Sequence, residues 1–171
     1  MIKGGKGGAN TNKTGLAFEK KTSLEDALIR ADFRVDNFKV FSEEQLLGEL
    51  APKSRLYKYL ESNFENWESP LSAKLLPDDA LFTLKSSRLH IIEKKWQEVS
   101  GSVDEKLQTC GFKIRQYNRL IEGTGLELKF TYLLNDWFTH ARYTDVLNYI
   151  QDSGAHYHFE SVPLSELDLD Q

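Results

Sequence analysis

Two strand-like segments separated by a polar turn form the clearest pattern of apolar and polar residues in this chain. Residues 80–84 (ALFTL) and 89–92 (LHII) are mostly apolar, whereas residues 85–88 (KSSR) between them are polar. Apolar runs of this length on both sides of four turn-forming residues are typical of a β-hairpin. We therefore predict an antiparallel pair of strands in the middle of the chain, the second of which continues into Glu93-Lys94-Lys95.

Downstream of this hairpin, helical and strand-like patterns alternate. A helix is expected to follow the hairpin directly, because Ser102 and Glu105 have the spacing of a capping box. Residues 126–138 become continuously apolar, as a buried strand does, and residues 144–154 have a helical pattern that ends at Gly154. This order of elements predicts an α/β or α+β fold, in which helices flank one central mixed β-sheet.

Upstream of the hairpin, the patterns predict an arm, helices and a short strand. Residues 1–14 are rich in glycine, asparagine and lysine, which is typical of a flexible basic arm. A helical pattern follows over residues 16–31, and a short strand is expected around residues 38–40. Ser42 is then predicted to cap a further helix, which ends at Pro52.

Composition and charge narrow the class of protein. The chain has 171 residues, of which 40% are hydrophobic, so that one packed domain is expected over residues 15–171. Cys110 is the only cysteine, which excludes an intrachain disulfide. No apolar run approaches the length of a membrane span, and a cytoplasmic protein without membrane contact is expected. The net charge of −4 does not indicate a nucleic-acid-binding protein, but an acidic metal site and a basic groove would cancel in that total.

The charged residues at one end of the predicted hairpin are difficult to explain by packing. Side chains alternate along a strand, so Glu93 and Lys95 share one face. The hairpin brings the start of its first strand, with Asp78 and Asp79, beside Glu93. Two neighbouring carboxylates repel each other unless a cation lies between them, and hard oxygen ligands suit Mg²⁺, with Mn²⁺ as a substitute. For Glu93-Lys94-Lys95 taken alone, an edge strand with a solvated charged face is the alternative.

Pro77-Asp78 followed by Glu93-x-Lys95 resembles the signature of the PD-(D/E)XK nuclease superfamily, which includes many type II restriction endonucleases and Holliday-junction resolvases. The resemblance implies a restriction-endonuclease-like core with its acidic residues and its lysine on consecutive strands of a hairpin. It also implies that Asp78, or alternatively Asp79, binds the metal together with Glu93. Lys95 would be the catalytic lysine.

The same resemblance extends to weaker candidates on both sides of the motif. Residues 15–19 (GLAFE) resemble the upstream helix that supplies a further acidic metal ligand in many members, which makes Glu19 a candidate. A solvated acidic residue beside Lys20 and Lys21 is the alternative for Glu19. Gln97 lies on the face of Glu93 and Lys95 and is expected to support them. Basic residues of the following helix are candidates for contacts with the DNA backbone, with a solvated helix face as the alternative for at least half of them: Lys106, Lys113, Arg115 and Arg119.

The function implied by this resemblance is Mg²⁺-dependent hydrolysis of phosphodiester bonds in double-stranded DNA. A type II restriction endonuclease that acts as a homodimer is the leading hypothesis, since a double-strand cut normally needs two active sites. Two alternatives stay open. One is a structure-selective nuclease, such as a Holliday-junction resolvase or a repair nuclease, and the other is a catalytically silent DNA-binding or assembly protein with the same fold.

Overall fold

The computed structural model describes residues 21–98 and 103–169, with the backbone alone at residues 103 and 104. Within these residues, seven strands form one mixed sheet, whose spatial order equals their order along the chain. The strands are β1 (Arg34–Asp36), β2 (Lys39–Ser42), β3 (Gln45–Leu50), β4 (Asp79–Thr83), β5 (Arg88–Lys95), β6 (Glu127–Leu134) and β7 (His156–Phe159). The α-helices are α1 (Leu24–Arg30), α2 (Arg55–Asn63), α3 (Val103–Leu107), α4 (Cys110–Leu120) and α5 (Thr144–Asp152).

The sheet is antiparallel from β1 to β5 and parallel from β5 to β7. Parallel neighbours need a crossover connection, and here helices α3 and α4 connect β5 to β6 while α5 connects β6 to β7. The predicted α+β class, with helices flanking a central mixed sheet, is confirmed. The predicted hairpin is confirmed as well, as β4 and β5 with the turn between them.

Strand alternation gives the sheet two faces, each covered by its own apolar cluster. The front face, which includes Phe82 and Ile91, packs against α2, α4 and α5. The back face, which includes Leu81 and Ile92, packs against α1 and the C-terminal segment, residues 161–169. Because both faces are covered, β5 is buried along almost its whole length, and the charged residues at its end lie in a largely dry environment.

Charged side chains of the C-terminal segment contact the back face of the sheet. Arg88 and His90, on β5, both contact Asp168, at 2.7 and 3.0 Å. Lys129, on β6, contacts Glu166 at 3.2 Å. Burial lowers the pKa of His90 to about 4, although the charge of Asp168 acts in the opposite direction. His90 is therefore neutral at neutral pH, and its Nε2 lies 3.0 Å from Oδ2 of Asp168.

The helix predicted after Ser42 is wrong, because this segment is strand β3, paired with β2 and β4. Glu43 has a positive φ of 52° and turns the chain back on itself, so the residues that resemble a capped helix start form a hairpin turn. Gly48 fits this strand for a steric reason. A Cβ added there would lie 2.3 Å from the carbonyl oxygen of Phe82 on β4.

The predictions for β6, for the end of α5 and for the N-terminal arm differ in their outcomes. Gly154, with a φ of 81°, follows the end of α5 as predicted. The predicted strand over residues 126–138 is shorter, since β6 ends at Leu134 and a 3₁₀ turn follows. The arm over residues 1–14 and the capping residue Ser102 lie outside the described residues. None of the described helices is long and apolar enough to cross a membrane.

Candidate active site

The Pro77-Asp78 segment accepts hydrogen bonds from two main-chain N–H groups, one on strand β5 and one in the loop between β3 and α2. The N–H of Lys94, on β5, donates to Oδ2 of Asp78 at 2.9 Å. The N–H of Lys53, in the loop between β3 and α2, donates to the carbonyl oxygen of Pro77 at 2.9 Å. These bonds fix the Asp78 carboxylate next to the end of β5, where Glu93 projects from the same face.

Lys95 lies among three oxygen atoms of this site. Its Nζ is 3.0 Å from Oε2 of Glu93, 2.9 Å from the carbonyl oxygen of Lys94 and 3.8 Å from Oδ2 of Asp78. The side chains of Asp78, Glu93 and Lys95 are each at most 14% exposed. The structure therefore brings the three predicted catalytic residues together in a partly buried cluster, where charges interact more strongly than at an exposed surface.

Two further lysines contact the same carboxylates. Nζ of Lys113, on α4, is 2.6 Å from Oε2 of Glu93. Nζ of Lys53 is 2.5 Å from Oδ1 of Asp78. Lys113 was expected to contact DNA, and its contact with Glu93 was not predicted. Lys53 was not identified at all, because it reaches the site only through the packing of the β3–α2 loop against the start of β4.

The groups around Asp78 lower the pKa of its carboxyl group more than burial raises it. Burial alone would raise the pKa of Asp78. This pKa nevertheless lies below its ordinary value, because the charge of Lys95 lowers it. Lys53 lowers it further through a hydrogen bond and its charge, and the N–H of Lys94 does so through a hydrogen bond. Asp78 is therefore ionised at neutral pH and available as an oxygen ligand.

Tyr117, on α4, is fully buried next to Glu93. Burial, and then the negative charge of Glu93, raise the pKa of the Tyr117 hydroxyl. The phenol therefore keeps its proton at neutral pH. It is a neutral group beside Glu93 and adds no negative charge to the site.

Asp79 and Lys94 lie on the other face of the sheet from Asp78 and Glu93. Oδ2 of Asp79 is 2.6 Å from Nζ of Lys94 and accepts a hydrogen bond from the N–H of Leu24, the first residue of α1, at 3.3 Å. The sequence left Asp79 open as a metal ligand together with Glu93. Alternation along β4 and β5 separates these two carboxylates, and the structure brings Asp78, rather than Asp79, to the site.

Gln97 is buried just beyond the end of β5. Its N–H donates to Oδ1 of Asn135 at 3.0 Å, and Nδ2 of Asn135 donates to its carbonyl oxygen at 2.9 Å. The N–H of Asn135 also donates to the carbonyl oxygen of Lys95 at 3.3 Å. Asn135, which the sequence did not single out, thus fixes the chain that leaves the site, and Gln97 is an interior residue rather than a surface residue.

Three other predicted site residues, Lys106, Arg115 and Arg119, are not brought to the cluster. Lys106 and Arg115 are exposed on α3 and α4. Arg119 is exposed as well, and its guanidinium donates to the side-chain oxygen of Gln116 and to the carbonyl oxygen of Pro70, at 3.1 and 3.2 Å. Glu19 lies outside the described residues.

The oxygen atoms around Lys95 are of the type that a hard divalent cation prefers. Two carboxylates, from Asp78 and Glu93, and the carbonyl oxygen of Lys94 match the ligands of Mg²⁺. In the part of the chain that the structure describes, no group of three or more histidine, cysteine, aspartate or glutamate side chains is positioned to hold a metal. Mg²⁺ commonly completes its shell with water and substrate oxygens, so two carboxylates are compatible with it.

Comparisons of the chain with family models, curated proteins and solved structures find no match in any of the three. The resemblance to the nuclease superfamily therefore rests on the residues of the motif and on their arrangement.

Proposed function

We propose that this protein is a Mg²⁺-dependent endonuclease that hydrolyses phosphodiester bonds in double-stranded DNA. One observation carries the proposal: Asp78, Glu93 and Lys95 meet in a partly buried cluster at the end of a hairpin. A solvated charged face, the alternative from the sequence, does not fit this burial. An acidic pair beside several lysines suits both a divalent cation and an anionic phosphate.

Each residue of the cluster has a role in this proposal. Asp78 and Glu93, with the carbonyl oxygen of Lys94, hold Mg²⁺. When bound, Mg²⁺ polarises the scissile phosphate and lowers the pKa of a bound water. Lys95 positions that water and stabilises negative charge as it develops on the phosphoryl oxygens.

A type II restriction endonuclease is the specific form that we propose, with cytoplasmic DNA as its substrate. A cut in each strand requires two active sites, which a homodimer of this chain would supply. The same cluster would also serve a structure-selective nuclease, because the chemistry at the phosphate is identical. A restriction endonuclease and a structure-selective nuclease differ in the DNA substrate that they cut, and a digest of both substrates distinguishes them.

The test is a digest of mixed-sequence plasmid and of branched DNA in Mg²⁺, with and without chelator. Discrete fragments that disappear with chelator would support a restriction enzyme, and cleavage of branched DNA alone would indicate a resolvase. Cleavage of neither substrate would contradict the proposal and favour a binding protein.

Two substitutions test whether the cluster of Asp78, Glu93 and Lys95 is the site of DNA cleavage. Glu93→Gln and Lys95→Met should each reduce cleavage by a factor on the order of 10² or more, because the first weakens the metal site and the second removes a positive charge that acts on the reacting phosphate. Glu61→Gln and Lys58→Met, at exposed positions of α2, make the same chemical changes away from the cluster and should cut normally. Normal cutting by folded Glu93→Gln or Lys95→Met protein would exclude this cluster as the active site.

A further inference from the structure

Among the described residues, three lysines surround two carboxylates in the candidate active site. On the front face, Lys53, Lys95 and Lys113 contact the carboxylates of Asp78 and Glu93. Within the described part of the chain, lysines therefore outnumber carboxylates in this cluster. A site that only had to hold a divalent cation would not need this surplus, since like charges repel.

The three lysines differ in the solvent exposure of their side chains. Lys95 is held by three oxygen atoms and its side chain is 14% exposed. Lys53 and Lys113 approach from outside, on the β3–α2 loop and on α4, and their side chains are 51% and 23% exposed. A lysine ammonium is a point charge on a flexible stem, so these two outer lysines can change partners without movement of the backbone.

We propose that Lys53 and Lys113 exchange partners when DNA binds: they neutralise Asp78 and Glu93 in the free protein and contact DNA phosphates in the complex. This inference rests on the proposed function. In the free protein, Nζ of Lys53 lies at Oδ1 of Asp78 and Nζ of Lys113 at Oε2 of Glu93, so each ammonium group contacts one oxygen of a carboxylate that is a candidate ligand of the divalent cation. A cation and an ammonium group repel each other at the same oxygen, and a lysine ammonium group can bind phosphate as a point charge.

The exchange also defines a path for the DNA backbone. Lys53 contacts Asp78 and Lys113 contacts Glu93, so the two lysines approach the acidic pair from two different elements of the front face. A strand whose phosphates contact both lysines would cross between the β3–α2 loop and α4, directly over the acidic pair.

The first test is Mn²⁺ binding by the DNA-free protein, measured from the electron paramagnetic resonance signal of free Mn²⁺. Lys53→Met and Lys113→Met should each tighten Mn²⁺ binding roughly three- to tenfold, because each removes a competing cation from a carboxylate. Lys58→Met removes an exposed lysine of α2 and should bind Mn²⁺ like the wild type. Affinities equal to or weaker than that of Lys58→Met would overturn the exchange.

The second test is DNA binding in chelator with Glu93→Gln protein, which lacks one metal ligand. A mixed-sequence duplex is titrated at several salt concentrations by fluorescence anisotropy. Adding Lys113→Met should reduce the slope of log affinity against log salt by about one, since one phosphate contact is lost. Adding Lys58→Met should leave the slope unchanged. An unchanged slope with Lys113→Met would contradict a phosphate contact by this lysine.

The two tests separate this inference from the proposed function. Wild-type protein that binds no Mn²⁺ and cuts no DNA would refute both. Wild-type protein that binds Mn²⁺ through Glu93 and cuts DNA, while Lys53→Met and Lys113→Met behave like Lys58→Met, would refute only the exchange of partners.

Discussion

The buried ion pair between Asp79 and Lys94 gives a quantitative test of the arrangement behind the active site. The Lys94 side chain is 4% exposed and that of Asp79 16%, and their charged atoms are 2.6 Å apart. Lys94→Met keeps the apolar stem of the lysine but removes its charge. Asp79→Asn keeps an oxygen that can accept the hydrogen bond from the N–H of Leu24.

The expected magnitudes follow from burial. Removal of one partner of a buried pair costs about 3–5 kcal/mol, because the remaining charge is left without compensation. Asp79 keeps some contact with water, so we expect Lys94→Met to lower the free energy of unfolding by about 3 kcal/mol. Asp79→Asn should cost less, about 2 kcal/mol, because the amide oxygen that it introduces can still accept a hydrogen bond from the Lys94 ammonium group. The double variant contains neither charge, and its loss should be smaller than that of Lys94→Met alone.

The assay is urea unfolding of the four proteins, followed by circular dichroism. The double-mutant cycle should give a coupling energy on the order of 2 kcal/mol. Losses that add within about 0.5 kcal/mol would mean that Asp79 and Lys94 do not interact, and the assignment of the two aspartates to opposite faces would be refuted.

Two further predictions concern the back face and the edge of β4. The free energy of unfolding should fall by up to about 3 kcal/mol as the pH falls from about 6.5 to 4, because the unfolded chain takes up a proton that buried His90, with a pKa of about 4, does not. His90→Gln should remove this part of the pH dependence in urea unfolding, and an unchanged profile would exclude His90 as its source. Gly48→Ala should destabilise the protein by roughly 2 kcal/mol or more in thermal unfolding, since its Cβ would lie 2.3 Å from the carbonyl oxygen of Phe82. An unchanged melting temperature would contradict this close approach of β3 to β4.

The hairpin and its charged end could be predicted from the sequence because both depend on local patterns. The short turn between β4 and β5 fixes which strands pair, and the alternation of side chains puts Glu93 and Lys95 on one face. Asp78 and Asp79 could not be distinguished in this way. Their faces depend on where β4 begins and on α1, whose first N–H bonds Asp79.

The parts that the sequence did not reveal depend on contacts between distant segments. Lys53 contacts Asp78 from a loop that is 25 residues away along the chain, and no motif surrounds it. Lys113 has the spacing of an ordinary basic helix residue, and only the packing of α4 on the front face brings it to Glu93. The resemblance of Ser42 to a helix cap predicts a helix at residues 45–50, whereas pairing with β2 and β4 makes this segment strand β3.

The most direct measurement of the central claim compares Asp78→Asn with Asp79→Asn in a Mg²⁺-dependent DNA digest. The two substitutions are chemically identical and adjacent in sequence, but they act on opposite faces of the sheet. At a temperature where both proteins are folded by circular dichroism, Asp78→Asn should lose cleavage and Asp79→Asn should retain it. Cleavage that survives in Asp78→Asn, or that is lost in folded Asp79→Asn, would contradict a metal site built on Asp78, Glu93 and Lys95.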